Sequence, residues 1–111
     1  MDKNSAAIAA LNDRLRTTFE KAAGQVVLTQ GIASLPEHNQ AAILSLVRCF
    51  NDFTRGNDPY GEHDFGQVEH GGHKAFFKID CYDTSMQWAS PDPTDPSLTV
   101  RVMTVMLARE Y

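Results

Sequence analysis

Nowhere in its 111 residues does the chain hold an apolar run of the roughly 18 residues a membrane-spanning helix needs. The opening Met1-Asp2-Lys3-Asn4-Ser5-Ala6-Ala7-Ile8 also lacks the apolar stretch of a secretory leader. Cysteine is scarce: Cys49 and Cys81 lie in separate apolar stretches, without CxxC or Cys/His ligand spacing. They are expected to be two buried, reduced thiols in a cytoplasmic protein. A catalytic cysteine needs a neighbouring base, and the sequence places none beside either. Basic residues are the minority, 10 against 14 acidic, for a net charge of −4. Non-specific nucleic-acid binding relies on clustered Lys and Arg that displace counterions, so direct contact with nucleic acid is not expected. The acidic excess is too small, and too evenly interrupted, to make the chain a DNA mimic. No internal repeat is present, and no second domain is expected within these residues. Residues 1–111 are expected to form one domain that buries about two thirds of its unfolded surface.

What the chain does have is a dense polar turn, Asn57-Asp58-Pro59-Tyr60-Gly61-Glu62-His63-Asp64-Phe65-Gly66. Pro59 fixes its own φ and bends the preceding residue away from helix, while Gly61 and Gly66 allow angles that other residues resist. Three acids, a histidine and a tyrosine stand in this one segment. Loops carry function more often than cores do, so the segment is the first candidate site.

Around it the pattern predicts an α+β fold in the order α-β-α-β-β-β, two helices packed on one face of a mainly antiparallel sheet of about four strands. Residues 5–21 read as a helix, with Ile8, Leu11, Leu15 and Phe19 as its apolar stripe, Asn4 or Ser5 as cap and Gly24 as its end. Arg14 and Arg16 fall off that stripe and are expected in solvent. Gln25–Thr29 reads as a strand between Gly24 and Gly31. Ser34-Leu35-Pro36-Glu37 is a capping-box pattern that predicts a helix running to Gly56, its stripe made of Ile43, Leu46, Phe50 and Phe53 and widened by Leu44 and Val47. His38 falls in its polar first turn.

After the polar turn, Phe65–Glu69 and Lys74–Tyr82 read as strands joined across His70-Gly71-Gly72-His73, a tight hairpin signal. Period-two alternation places Phe77, Ile79 and Cys81 on a buried face, opposite Phe76, Lys78, Asp80 and Tyr82. Pro91, Pro93 and Pro96 make residues 83–97 irregular. Trp88, just before them, is expected to pin this loop to the body, with a place on a binding surface as the other reading. Leu98–Leu107 is apolar on both faces and predicts a central strand. Something must then cover the far side of the sheet: the first helix, the proline loop or a second copy, which makes a homodimer an expectation.

The central decapeptide, with Lys78-Ile79-Asp80-Cys81-Tyr82-Asp83, Ser90-Pro91-Asp92-Pro93-Thr94-Asp95-Pro96 and the stretch from Thr99 to Tyr111, resembles a small bacterial family, domain of unknown function 3768. The likeness runs from Leu11-Asn12-Asp13 onward. Cys81 stands where that family suggests tyrosine, and Phe77 where it suggests tryptophan; both lie on the face read as buried. The resemblance implies a bacterial, cytoplasmic protein associated with plasmids or prophages, and implies no activity.

Three chemistries follow from the candidate residues. Glu62, His63 and Asp64, with Asp58, are the only metal-ligand candidates, but their spacing fits neither an EF-hand nor HExxH, so no metal and no cofactor is expected. Acid–base catalysis would draw on His63, Asp64, Asp80 and Lys78, with Tyr60 alongside. Against it, Lys78 and Asp80 read as a structural ion pair, and the sequence lacks a nucleophile elbow, a phosphate loop and a nuclease-like acid-x-Lys. The favoured reading is an inhibitory, protein-binding factor of mobile-element type, for example a counter-defence protein that blocks a basic, nucleic-acid-binding host complex. Asp58, Tyr60, Glu62, His63, Asp64, Trp88, Asp92 and Asp95 would form its surface, aromatics anchoring and carboxylates steering. The alternative is a metal-dependent or acid–base hydrolase built on the Asp58–Asp64 turn.

Overall fold

The computed structural model describes residues 3–111. Helix α1 spans Lys3–Thr18, strand β1 Gln25–Leu28, helix α2 Gln30–Ala33 and helix α3 Glu37–Cys49. Strands β2 (Phe65–His70), β3 (His73–Tyr82) and β4 (Val100–Leu107) follow, with short 3-10 turns at Pro96–Leu98 and Ala108–Glu110. The sheet order is β1-β4-β3-β2. β2-β3 and β3-β4 are antiparallel and β1-β4 is parallel. The α+β class and the four-strand, mainly antiparallel sheet are as expected; α2 is an addition.

Apolar alternation sets the faces. Ala75, Phe77 and Ile79 of β3 lie level with Leu107, Val105 and Met103 of β4, and all six are buried. Leu15 of α1 and Ile43 and Val47 of α3 pack on that face, so both long helices cover the same side of the sheet. Gly66 sits opposite Phe77 because a Cβ there would lie 2.3 Å from the Phe77 ring. The Gly71-Gly72 hairpin has φ of 58° and 81°, the left-handed pair that a two-residue turn matching the strand twist requires.

β4 is buried on both sides, as its composition predicts, and α1 packs on its near face with α3 rather than on its far face. Val102 and Met106 lie there, beside an aromatic cluster in which Tyr111 stands edge-on to Phe65 and Phe76, at 5.8 and 5.5 Å between ring centres.

Both long helices end earlier than their periodicity predicts. α1 stops at Thr18, with Phe19 at φ 58°, rather than running to Gly24. Thr17 and Thr18 turn their hydroxyls back onto the carbonyls of Asp13 and Arg14, which weakens the last turn. Asn4 and Ser5 lie inside α1 and do not cap it. α3 stops at Cys49, so Phe50 and Phe53 leave the helix and turn inward onto Phe77. Leu46 is exposed, and the buried line of α3 is Ile43 and Val47.

The capping box does not form. Ser34 closes α2, Pro36 precedes α3, and the Gln40 amide serves the carbonyls of Ala33 and Leu35. Cys49 is exposed and Cys81 half-buried, so the pair of buried thiols is corrected as well.

Candidate functional site

The decapeptide folds into a corner at the start of β2, the edge strand. Asn57 and Thr54 tie its entrance together: the Asn57 carboxamide oxygen accepts from the Thr54 N–H at 2.8 Å and its Nδ2 donates to the Asp52 carbonyl at 2.8 Å. Asp58 is buried, and its carboxylate faces inward. It accepts the backbone N–H of Glu62 at 3.1 Å and of His63 at 3.2 Å. An Asx side chain holding the backbone four and five residues on fixes the turn. It also steadies His63 at a left-handed φ of 56°, beside Gly61 at 68°.

His63 is a strut between the corner and α1. Its Nδ1 lies 3.0 Å from both oxygens of Asp13, and since a carboxylate only accepts, that nitrogen carries the proton. The Nε2 lies 3.7 Å from Asp58, and the ring stacks on Phe53 at 4.0 Å and 3°. Both ring nitrogens thus face internal carboxylates. Asn12 adds a second tie from α1, donating to the Glu62 carbonyl at 2.9 Å.

Behind this corner stands Arg16, which the helix pattern placed in solvent and which is instead buried. Its Nη1 donates to the carbonyls of Val47, Arg48 and Phe50 at 3.0, 3.2 and 2.7 Å, and its Nη2 pairs with Asp13 at 2.9 Å. Those carbonyls belong to the end of α3, where backbone acceptors lack helical partners and the helix dipole favours a cation. Arg14 does lie in solvent, paired with Glu20.

The other candidates divide between two sides of the sheet. Lys78 and Asp80 lie on the face away from the helices, joined by a 2.7 Å ion pair whose exposure limits it to at most about 1 kcal/mol. The Asp80 contact is the main reason the Lys78 ammonium titrates above its usual range. Asp64 precedes Phe65 and so points to the opposite face, half-buried. Burial pushes its carboxyl above the usual carboxylate range. Burial likewise raises the Cys81 thiol, the reverse of what a nucleophile needs. Among the described residues, no group of three His, Cys, Asp or Glu side chains is placed to hold a metal.

The surface groups are different. Tyr60 is 77% exposed and Trp88 72%, so Trp88 does not pin its loop. Asp83, which pattern reading passed over, organises that loop. It accepts from the Ser85 hydroxyl at 2.8 Å and from the N–H groups of Gln87 and Trp88. These bonds, Ser85 foremost, hold its carboxyl below the usual range, and the hydroxyl and N–H of Thr94 do the same for Asp92. Asp95 caps the following 3-10 turn through the Ser97 N–H at 2.9 Å.

The Asp64 pKa direction yields a prediction. A carboxyl whose folded pKa is raised costs stability as pH climbs from its unfolded pKa through the folded one, and above that the cost is fully present. Asp64→Asn is therefore expected to raise Tm at pH 7 and to leave it unchanged at a pH below the ordinary aspartate pKa. Thermal unfolding at both pH values checks this, and a neutral or lowered Tm at pH 7 contradicts it.

Fold and site together define a small α+β protein with an internally tied polar corner and two exposed aromatic loops. The sequence profile of the family described as Protein of unknown function (DUF3768) matches residues 28–110, and the chain belongs to that family. No curated protein and no solved structure matches it. The matched span begins at the end of β1, so Asn12, Asp13 and Arg16, which hold the corner, lie before it. No helix among the described residues is long and apolar enough to cross a membrane.

Proposed function

We propose that this chain is a protein-binding factor of bacterial, mobile-element type that presents Tyr60 and Trp88, flanked by carboxylates, to a basic partner such as a nucleic-acid-binding host complex. One observation carries the reading. Along β3, residues two apart point their N–H and C=O groups to the same edge. On that edge the Ile79 N–H meets the Asp64 carbonyl at 2.8 Å, the Cys81 carbonyl accepts the Ser90 N–H at 2.9 Å, and the Asp83 N–H meets the Trp88 carbonyl at 2.8 Å. The two loops are thereby seated side by side, about 7 Å apart per pair of strand residues.

Large exposed aromatics supply anchoring area, and ionised carboxylates steer a basic partner. Asp83, Asp92 and Asp95 use one oxygen each for loop structure, and Asp92 is exposed. Asp58 leaves the proposed surface because it is buried, and His63 because both ring nitrogens face internal carboxylates. The same two facts weigh against the hydrolase reading, because they engage Asp58 and His63 inside the fold.

Tyr60→Ala with Trp88→Ala is expected to change stability by less than about 0.5 kcal/mol, since neither side chain is packed. The double variant should lose the partner that wild type retains from host lysate, and retention by wild type should weaken as salt rises. Identical retained proteins for the two chains, at equal folding, would defeat the proposal.

A further inference from the structure

Arg101 is the one charged residue of β4, and it is 3% exposed. A buried guanidinium ordinarily has a carboxylate beside it, because desolvating the charge is costly without one. Arg101 has none: it takes part in no ion pair among the described residues. Its Nε donates to the Asn12 side-chain oxygen at 2.9 Å and its Nη2 to the Pro93 carbonyl, both neutral acceptors. Burial draws its pKa below the usual arginine value, with no carboxylate to offset it.

Arg101 lines a cavity of about 210 Å³ between the end of α1, the start of β1 and the Pro96–Val100 segment. Arg14 and Lys21 also line it, and none of its lining residues is acidic. Gly24 forms part of the wall, and a Cβ there would lie 2.5 Å from the Arg101 carbonyl, so the chain passes closer to Arg101 than any side chain would permit. Among the described residues Arg14 pairs with Glu20 at 3.0 Å, an exposed interaction weak enough to exchange for another anion.

We propose that this cavity is an oxyanion site that takes the phosphoryl group of inorganic phosphate or of a small phosphorylated metabolite. Arg101 is its fixed, buried cation, and Arg14 and Lys21 close over the ligand from the rim. A planar guanidinium matches the spacing of phosphate oxygens, and three cations without a lining carboxylate suit a dianion better than a singly charged acid. The cavity is smaller than the roughly 300 Å³ at which pockets begin to enclose whole metabolites, so the phosphoryl group enters and the remainder stays outside. The site is separate from Tyr60 and Trp88, and its failure would leave the protein-binding proposal untouched.

The test is a titration of the full chain at low, constant ionic strength, followed by phosphorus NMR and thermal unfolding, with inorganic phosphate, adenosine monophosphate, acetate and chloride. Phosphate or the nucleotide should raise Tm and shift the phosphorus resonance, while acetate and chloride do neither. Equal affinity for phosphate and nucleotide identifies the phosphoryl group alone as ligand, and tighter nucleotide binding places part of the ligand outside the cavity. Arg14→Gln with Lys21→Gln should weaken binding at least about 10-fold. Arg14 and Lys21 are both exposed, so the double variant keeps the fold even where Arg101→Met does not. No response to phosphate or nucleotide up to about 10 mM, or unchanged affinity in the double variant, would overturn the site.

Discussion

Replacing Arg16 by alanine is expected to cost about 3–5 kcal/mol, the range seen when one partner of a buried charged network is removed. Val47, Arg48 and Phe50 would lose the donor that closes α3, and Asp13 would keep only His63. The guanidinium also lies 5.3 and 5.6 Å from the ring centres of Phe53 and Phe77, so its removal opens a gap between aromatic faces. Against a total stability of about 5–15 kcal/mol for a domain of this kind, that loss is severe. Arg16→Lys is expected to recover only part of it, since one ammonium cannot span three carbonyls and a carboxylate with the planar fork's geometry. Urea unfolding of both variants measures the effect. A loss below about 1 kcal/mol for Arg16→Ala would mean that water closes the end of α3 equally well.

The second large effect is expected at Phe77. Its ring is fully buried, 5.3 Å from Phe50 and 6.5 Å from Phe53 between centres, and it fills the space that Gly66 leaves open. Phe77→Ala should cost about 3–5 kcal/mol, the sum of lost transfer energy and the cavity left behind. Because Phe77 and Arg16 share Phe53 as a neighbour, their effects should not add: a double-mutant cycle is expected to give an interaction of roughly 0.5–3 kcal/mol. Additivity within error would show that the arginine and the aromatic cluster act independently.

These two residues also mark the limit of pattern reading. Phe77 is legible, because alternation along Lys74–Tyr82 puts it on one face with Ile79, and that face is buried. Arg16 is not, because nothing local distinguishes it from Arg14 two residues earlier, and its acceptors lie 31 to 34 positions away. Phe50 and Phe53 continue the helical spacing of Ile43 and Leu46, so periodicity alone carries them into α3. It is Arg16, arriving from another helix, that takes up the carbonyls where α3 ends. Arg101 did carry a signal, the one charge of β4, and its meaning required the cavity beside it.

The corner divides in the same way. Pro59, Gly61 and the Asx chemistry of Asn57 and Asp58 announce a turn, and a turn is there. Whether its acids face out or in depends on α1, since Asp13 draws His63 inward from 50 residues away.

Sequence by itself determined the α+β class, the Gly-Gly hairpin, the buried faces of β3 and β4 and the location of the polar turn, because these follow from short-range periodicity and backbone sterics. Tertiary structure alone decided where α1 and α3 stop, which arginines are buried, that Asp58 and His63 brace the corner, and that the Tyr60 and Trp88 loops share one strand edge. Those outcomes depend on hydrogen bonds and charge pairs between segments distant in the chain, and such partners leave no mark in local spacing.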